Sequence, residues 1–132
     1  MIYDFISNQI EDLCVASGII PSGTILYVDE EPDFNYNFFV RMNWLYGNTV
    51  RYTNTSDGEN ATLVLEFFER TDESYNTIED TALSARNVIM KELDCLSSGN
   101  ENAHLLSCTP VRLPEEDEWR RFNLNVNFEM WR

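Results

Sequence analysis

Residues 122–131 constrain the fold more than any other stretch of this chain. Phe122, Leu124, Val126, Phe128 and Met130 alternate with Asn123, Asn125, Asn127, Glu129 and Trp131. That is the period-two signature of a strand with one buried face. Asparagine has poor intrinsic strand preference. Such a segment is therefore a strand only if its apolar row lies on a core and its polar row is carried by pairing within a sheet. Something apolar must cover the first row. Ile78, Ala82, Ala85, Ile89, Leu93 and Leu96 recur at helical spacing, which predicts a helix over 74–96. Ser74 or Thr77 is placed to cap it, and Glu79 and Asp80 sit near its positive end. Ser97-Ser98-Gly99-Asn100 ends it. The matched periodicities predict that this helix packs on the apolar row of the last strand.

The rest of the chain supplies a second helix and more strands. Ile2, Phe5, Ile6, Ile10 and Leu13 predict a helix over 2–17, stopped by Gly18 with Pro21 beyond. Thr24 to Asp29 reads as a strand apolar on both faces, ended by Asp29-Glu30-Glu31-Pro32-Asp33. Phe38 to Tyr46 alternates strictly and reads as a long strand closed by a Gly47-Asn48 turn. Strands over 49–53 and 62–69 follow, joined by a polar tip, Asn54 to Asn60, centred on an Asp57-Gly58 turn. His104 to Cys108 reads as a short strand. Pro110 demotes 109–113 to an edge or irregular piece, and 114–118 reads as an acidic loop. The sum is one α+β domain over residues 1–132, with a mainly antiparallel sheet and two helices packed on one face.

Charge narrows the function classes. Acids outnumber bases 23 to 9, for a net charge of −14. Attraction to nucleic acid or to an anionic membrane needs a basic footprint, which this chain lacks. A protein that DNA merely slides past stays open. No basic segment precedes an apolar run at the start, and no apolar run approaches the roughly 18 residues of a membrane span. The expected setting is the cytoplasm or an assembled particle. Cys14, Cys95 and Cys108 each have apolar neighbours and read as buried free thiols.

Motifs for chemistry are missing from the sequence. There is no Gly-x-Ser-x-Gly elbow, Walker-type loop or Gly-x-Gly-x-x-Gly. The acidic clusters beside prolines read as solvated loops. His104 is the one histidine, and Cys108 follows four residues on. In a regular strand the two share a face, but two donors do not make a closed zinc site. The expectation is a chain with no catalytic residues, no metal and no cofactor. Trp119-Arg120-Arg121 and Trp131-Arg132 instead place interface-type residues at both ends of the last strand.

The layout resembles a known family. An N-terminal helix, a strand ending in Asp29-Glu30-Glu31-Pro32, a hairpin of long strands, one central helix and a terminal Arg120-Arg121-Phe122-Asn123-Leu124-Asn125-Val126-Asn127-Phe128 strand is similar to the tail terminator (tail completion, or neck) proteins of long-tailed bacteriophages. The resemblance covers most of the chain and rests on the order and texture of elements. It implies a non-enzymatic subunit of a homo-oligomeric ring, usually six-fold. Such a ring ends the tail tube, meets the tail tube protein on one side and a head–tail connector or stopper protein on the other, and lets DNA through its bore. The implied location is the virion neck, reached through the host cytoplasm. An acidic bore suits that role by repelling phosphates. Ring closure needs two complementary patches per subunit. The candidate contact residues are Arg41, Arg51, Trp44, Asp57, Gly58, Trp119, Arg120, Arg121 and Trp131, with the arginines meeting Asp29 to Glu31 and Glu115 to Glu118 of the next chain. The competing readings are another phage structural component (a connector-stopper, minor tail or baseplate protein), a small cytosolic ligand-binding domain and a small enzyme.

Overall fold

The computed structural model describes residues 2–27, 37–51, 57–71 and 78–131, with side chains for all of these but 47–51 and 57. The elements are α1 (Ile2–Ala16), β1 (Ile25–Tyr27), β2 (Phe38–Arg51), β3 (Asp57–Arg70), α2 (Ile78–Glu92), β4 (Cys95–Ser98), β5 (Glu101–Glu116) and β6 (Trp119–Trp131). The strands form one sheet in the order β1-β2-β3-β6-β5-β4. All neighbours are antiparallel except β1 and β2, which run parallel. The fold is α+β, as the alternation of the last strand requires. No described helix is long and apolar enough to cross a membrane.

The main core lies between the sheet and the two helices. Phe122, Leu124, Val126, Phe128 and Met130 of β6 are all buried, as are Leu63, Leu65 and Phe67 of β3 and Val40 and Met42 of β2. They share one cluster with Ile78, Ala82, Ala85 and Ile89 of α2 and with Ile2, Ile6, Ile10 and Cys14 of α1. The packing expected between the last strand and the central helix is therefore present. α1 ends where Gly18 takes a left-handed backbone, φ +77°. There the Gly18 amide donates to the Val15 carbonyl at 3.1 Å, and the Ile19 amide to the Cys14 carbonyl at 3.2 Å.

Four boundaries differ from the sequence reading, each for a local reason. The central helix stops at Glu92, and 95–98 are a strand rather than its last turn. The Leu93 amide still donates to the Ile89 carbonyl at 3.0 Å, but the Asp94 carbonyl instead accepts from the Leu105 amide at 2.8 Å. Leu96 still packs against the core, now from a strand opposite Ala103. A two-residue Gly99-Asn100 turn, with φ +62° at Gly99, makes that hairpin. Gly47-Asn48 is not a turn. β2 runs through it with an irregularity between Tyr46 and Thr49, where three steps along β2 match two along β3. Asp57-Gly58 is not a turn either, because both residues pair with Arg51 and Val50 inside β3. Pro110 sits within β5, paired to Leu124, and β5 runs on to Glu116, so that only Asp117 and Glu118 of the expected 114–118 loop form the turn. The proline is tolerated there because β4 pairs β5 only from Glu101 to His104, leaving an edge at Pro110 among the described residues. The Ser74 or Thr77 cap, the Asp29 to Glu31 cluster and the Asn54 to Ser56 part of the tip lie outside the described residues.

Candidate interaction surface

The pleat sends alternate residues of each strand to the side away from the helices. Among the described residues no helix lies across that open face. On it β2 places Phe39, Arg41, Asn43 and Leu45, opposite Phe68, Glu66, Val64 and Thr62 of β3. β6 adds Arg121, Asn123, Asn125 and Asn127 in the next column. Three of the arginine and tryptophan candidates from the sequence, Arg41, Trp119 and Arg121, meet here.

They meet around a second, smaller apolar cluster. Phe39 and Phe68 stack with centroids 4.6 Å apart and planes 9° apart. Trp119 stands edge-on to them at 5.2 and 6.2 Å. Leu26 of β1 is buried with them. Arg41 and Arg121 lay their guanidinium groups over the Phe68 ring at 5.3 and 5.6 Å, and Arg70 covers Trp119 at 4.3 Å. These are cation–π distances. Each flanking arginine has a carboxylate from its own chain. Arg41 pairs with Glu66 at 3.1 Å and Arg121 with Glu116 at 2.5 Å. The Nε atoms of both are buried and have no hydrogen-bond partner among the described residues. An open cavity of about 210 Å³ lies between them, lined by Arg41, Phe68, Glu116, Asp117, Trp119 and Arg121. That is below the roughly 300–1,000 Å³ of pockets that enclose drug-sized molecules.

The asparagine row continues the same face. Thr62 Oγ1 donates to Asn127 Oδ1 at 2.7 Å, and Asn127 Nδ2 donates to Ser107 Oγ at 2.8 Å. This ladder ties β3, β6 and β5 together through side chains. Leu45 and Val111 flank the row and are 55% and 36% exposed. The face is thus a rigid mixture of amide, aromatic and guanidinium groups with apolar margins.

The other sequence candidates fall elsewhere. Trp44 points at the helices, donating from Nε1 to Ser7 Oγ at 2.9 Å and meeting Tyr3 edge-on at 4.9 Å. It is a core residue because it stands on the even-numbered row of β2 with Val40 and Met42. Arg120 also faces the helix side, bound to Glu69 at 3.2 Å and to the Arg70 and Thr71 carbonyls at 3.3 and 3.2 Å. Gly58 is buried in β3 between Val50 and Trp131, and Arg51 pairs with Asp57 in the backbone ladder. Trp131 closes the far end of β6, half-buried, opposite Asn102. Sequence reasoning passed over Phe39, Phe68 and Arg70. The consecutive pair Phe67-Phe68 was the available signal, since two adjacent aromatics on a strand put one on each face.

The thiols do not behave alike. Burial pushes the Cys14 thiol up to about 11 and the Cys108 thiol up to about 12, the latter against the opposing pull of Arg86. Both stay protonated and unreactive at neutral pH. Cys95, expected to be buried, is exposed on edge strand β4. His104 and Cys108 do not share a face either. The register shifts between Leu105 and Ser107, so His104 lies opposite Glu129 while Cys108 lies opposite Val126 and packs on the core. His104 instead meets Asp94 and Cys95. No family model matches this chain, and neither a curated protein nor a solved structure does.

Proposed function

We propose that this chain is a structural subunit of a bacteriophage neck ring that ends the tail tube and joins the tail to the head-side connector. The observation that carries the reading is the open sheet face. Arg41 of β2 and Trp119 and Arg121 of β6 converge there on Phe68, with no described helix across them. Tryptophan and arginine are the residue types that anchor protein interfaces. A rigid sheet presents them without a folding cost at the moment of contact. The cavity among them is small for a metabolite but suited to a side chain of a neighbouring subunit. The order of elements supports the tail-terminator resemblance, with a helix, the long β2–β3 hairpin, a second helix and a terminal β5–β6 hairpin. The net charge of −14 suits a bore that DNA must pass.

In this reading one open face meets a different patch on the next subunit, and repetition closes the ring. The experiment is mass measurement after size exclusion, with electron images, on the chain alone and with tail tubes of its phage. The expected result is rings, either free or only on tube ends. A protein that stays monomeric in both conditions, with tubes left bare, rejects the reading.

A further inference from the structure

We propose that Asp94, Cys95 and His104 form a binding site for one zinc-like divalent transition-metal ion at the β4–β5 edge of the sheet. Their ligand atoms all lie within 4.8 Å of one another. Three different donor types, a carboxylate, a thiol and an imidazole, are the set that zinc takes, and hard cations such as magnesium do not use thiolates.

The fold brings them together by register. Cys95 of β4 pairs directly with His104 of β5, so their side chains leave the same face as cross-strand neighbours. Asp94 is placed by its own backbone, whose carbonyl accepts from the Leu105 amide at 2.8 Å. His104 Nε2 lies 3.3 Å from Asp94 Oδ1. Zinc at ordinary bond lengths to nitrogen and oxygen sets tetrahedral neighbours about 3.3–3.5 Å apart, so this edge needs no adjustment. Cys95 and Asp94 are exposed and His104 is partly so. Their side chains are therefore free to turn the remaining distance, about 1 Å, onto an ion.

Electrostatics points the same way. Asp94 follows two residues after Glu92, the last residue of α2, where the carbonyl end of the helix adds negative potential. Glu129 lies across from His104 on β6. Lys91 is the one basic residue in the last turn of α2. A divalent cation bound by one carboxylate, one thiolate and one neutral imidazole is locally neutral, which relieves this acidic corner. Three protein ligands leave one coordination position open. A water molecule fills it in the free chain, and a donor from a neighbouring chain can replace it.

The test is titration of the purified, metal-stripped chain with Zn²⁺ by calorimetry, and with Co²⁺ by absorption. The expected result is one ion per chain, a thiolate-to-cobalt charge-transfer band, and at least tenfold weaker binding in each of Cys95→Ser, His104→Gln and Asp94→Asn. All three positions lie at the surface, and unchanged melting of the metal-free variants confirms that the fold is intact. If Cys95→Ser fails to fold, His104→Gln and loss of the charge-transfer band on Cys95 alkylation decide the matter. No saturable uptake, or uptake unchanged by the substitutions because the acidic surface holds the ion elsewhere, overturns the proposal.

Discussion

Arg120 of β6 reaches Glu69 of β3 at 3.2 Å in a site where the carboxylate side chain is only 6% exposed. Two further carbonyls, of Arg70 and Thr71, accept from the same guanidinium, and Glu115 approaches its Nε at 3.8 Å. The pair ties the lower ends of two central strands to the turn that follows β3. Removing one partner takes a charge-assisted hydrogen bond from a group that is largely out of water but keeps other contacts, which costs about 1–3 kcal/mol. Glu69→Gln and Arg120→Met are each expected to lower stability by that order in urea denaturation. The double variant should lose less than the sum of the two, since it removes both charges. Charge reversal at Arg120 therefore reports on folding and cannot serve to probe a subunit contact.

The contact between β6 and α2 is tested at its centre. Val126 and Leu124 are fully buried in the main cluster. Leu124→Ala should cost about 2–5 kcal/mol through lost burial and a cavity. Val126→Asp should leave no folded protein, because an unpaired charge there costs an amount comparable to the whole stability of a small domain. Circular dichroism and melting measure both. A Val126→Asp chain that melts like the parent would show that this row does not face the core.

How much of this was legible beforehand depends on whether period alone carried the signal. The β6 row and the α2 row were legible because each repeats over many residues and the two faces match. The β2 row was legible for the same reason. Bulges were not, because one extra residue changes which face every later side chain takes. That is why His104 and Cys108, four apart, separate to opposite faces, and why Gly47-Asn48 passed for a turn. The end of α2 was missed because Leu93 and Leu96 satisfy a helix and a strand equally well. Of the interaction surface, Arg41, Trp119 and Arg121 were named from residue type, but Trp44 and Arg120 were assigned to the surface against the parity of their own strands. The Asp94, Cys95 and His104 cluster depends on cross-strand register, which no local pattern in the sequence encodes.

The β5–β6 turn carries removable strain. Asp117 and Glu118 both have positive φ, 49° and 71°. A two-residue hairpin loop of this kind favours Asn-Gly or Asp-Gly, and the left-handed region costs a glutamate about 1 kcal/mol. Glu118→Gly gives the turn the Asp-Gly sequence that it prefers. It loses only an exposed contact with Arg70, 3.7 Å long, which is worth little. The expected gain is about 0.5–1 kcal/mol, read as a higher urea midpoint with an unchanged slope.

Stability should fall at alkaline pH in a definite window. Cys14 and Cys108 keep their protons up to about 11 and 12, chiefly because burial disfavours the thiolate. The unfolded chain releases them near the usual thiol value of 9.0. Above that pH the unfolded state binds fewer protons than the folded one, so the free energy of unfolding declines as pH rises. The contribution is fully present below pH 9 and is lost as pH climbs through the folded values. Cys14 alone gives a slope of up to about 1.4 kcal/mol per pH unit in that window, and Cys108 acts in the same direction. Cys14→Ala should flatten the dependence of the urea midpoint between pH 9 and 10.5. In the parent protein a thiol reagent at neutral pH should modify Cys95 at once, the partly buried Cys108 far more slowly and Cys14 only on unfolding.

The open face is where association should be lost without loss of fold. Leu45 is 55% exposed beside the asparagine row, and Arg121 covers Phe68 from the β6 side at 5.6 Å. Leu45→Glu adds a charge to an apolar margin already exposed to water, and surface changes of that kind stay within about 0.5 kcal/mol of the parent. Arg121→Ala removes one partly exposed ion pair with Glu116, worth about 0.2–1 kcal/mol, together with its cover over Phe68. Both variants should melt within a few degrees of the parent. At an interface the same changes count for more, because an arginine anchor desolvated against a partner is worth about 2 kcal/mol or above and a glutamate in place of Leu45 would be buried there without a partner. The prediction is that the combined variant is folded but shifts to the monomer mass under conditions where the parent forms rings, and no longer caps tail tubes. Val88→Glu on the half-buried flank of α2 is the control on the opposite side of the sheet, and it should leave assembly intact if the protein stays folded. Rings formed equally well by Leu45→Glu with Arg121→Ala would remove the open face from the subunit contact and leave the edge strands as the place where copies meet.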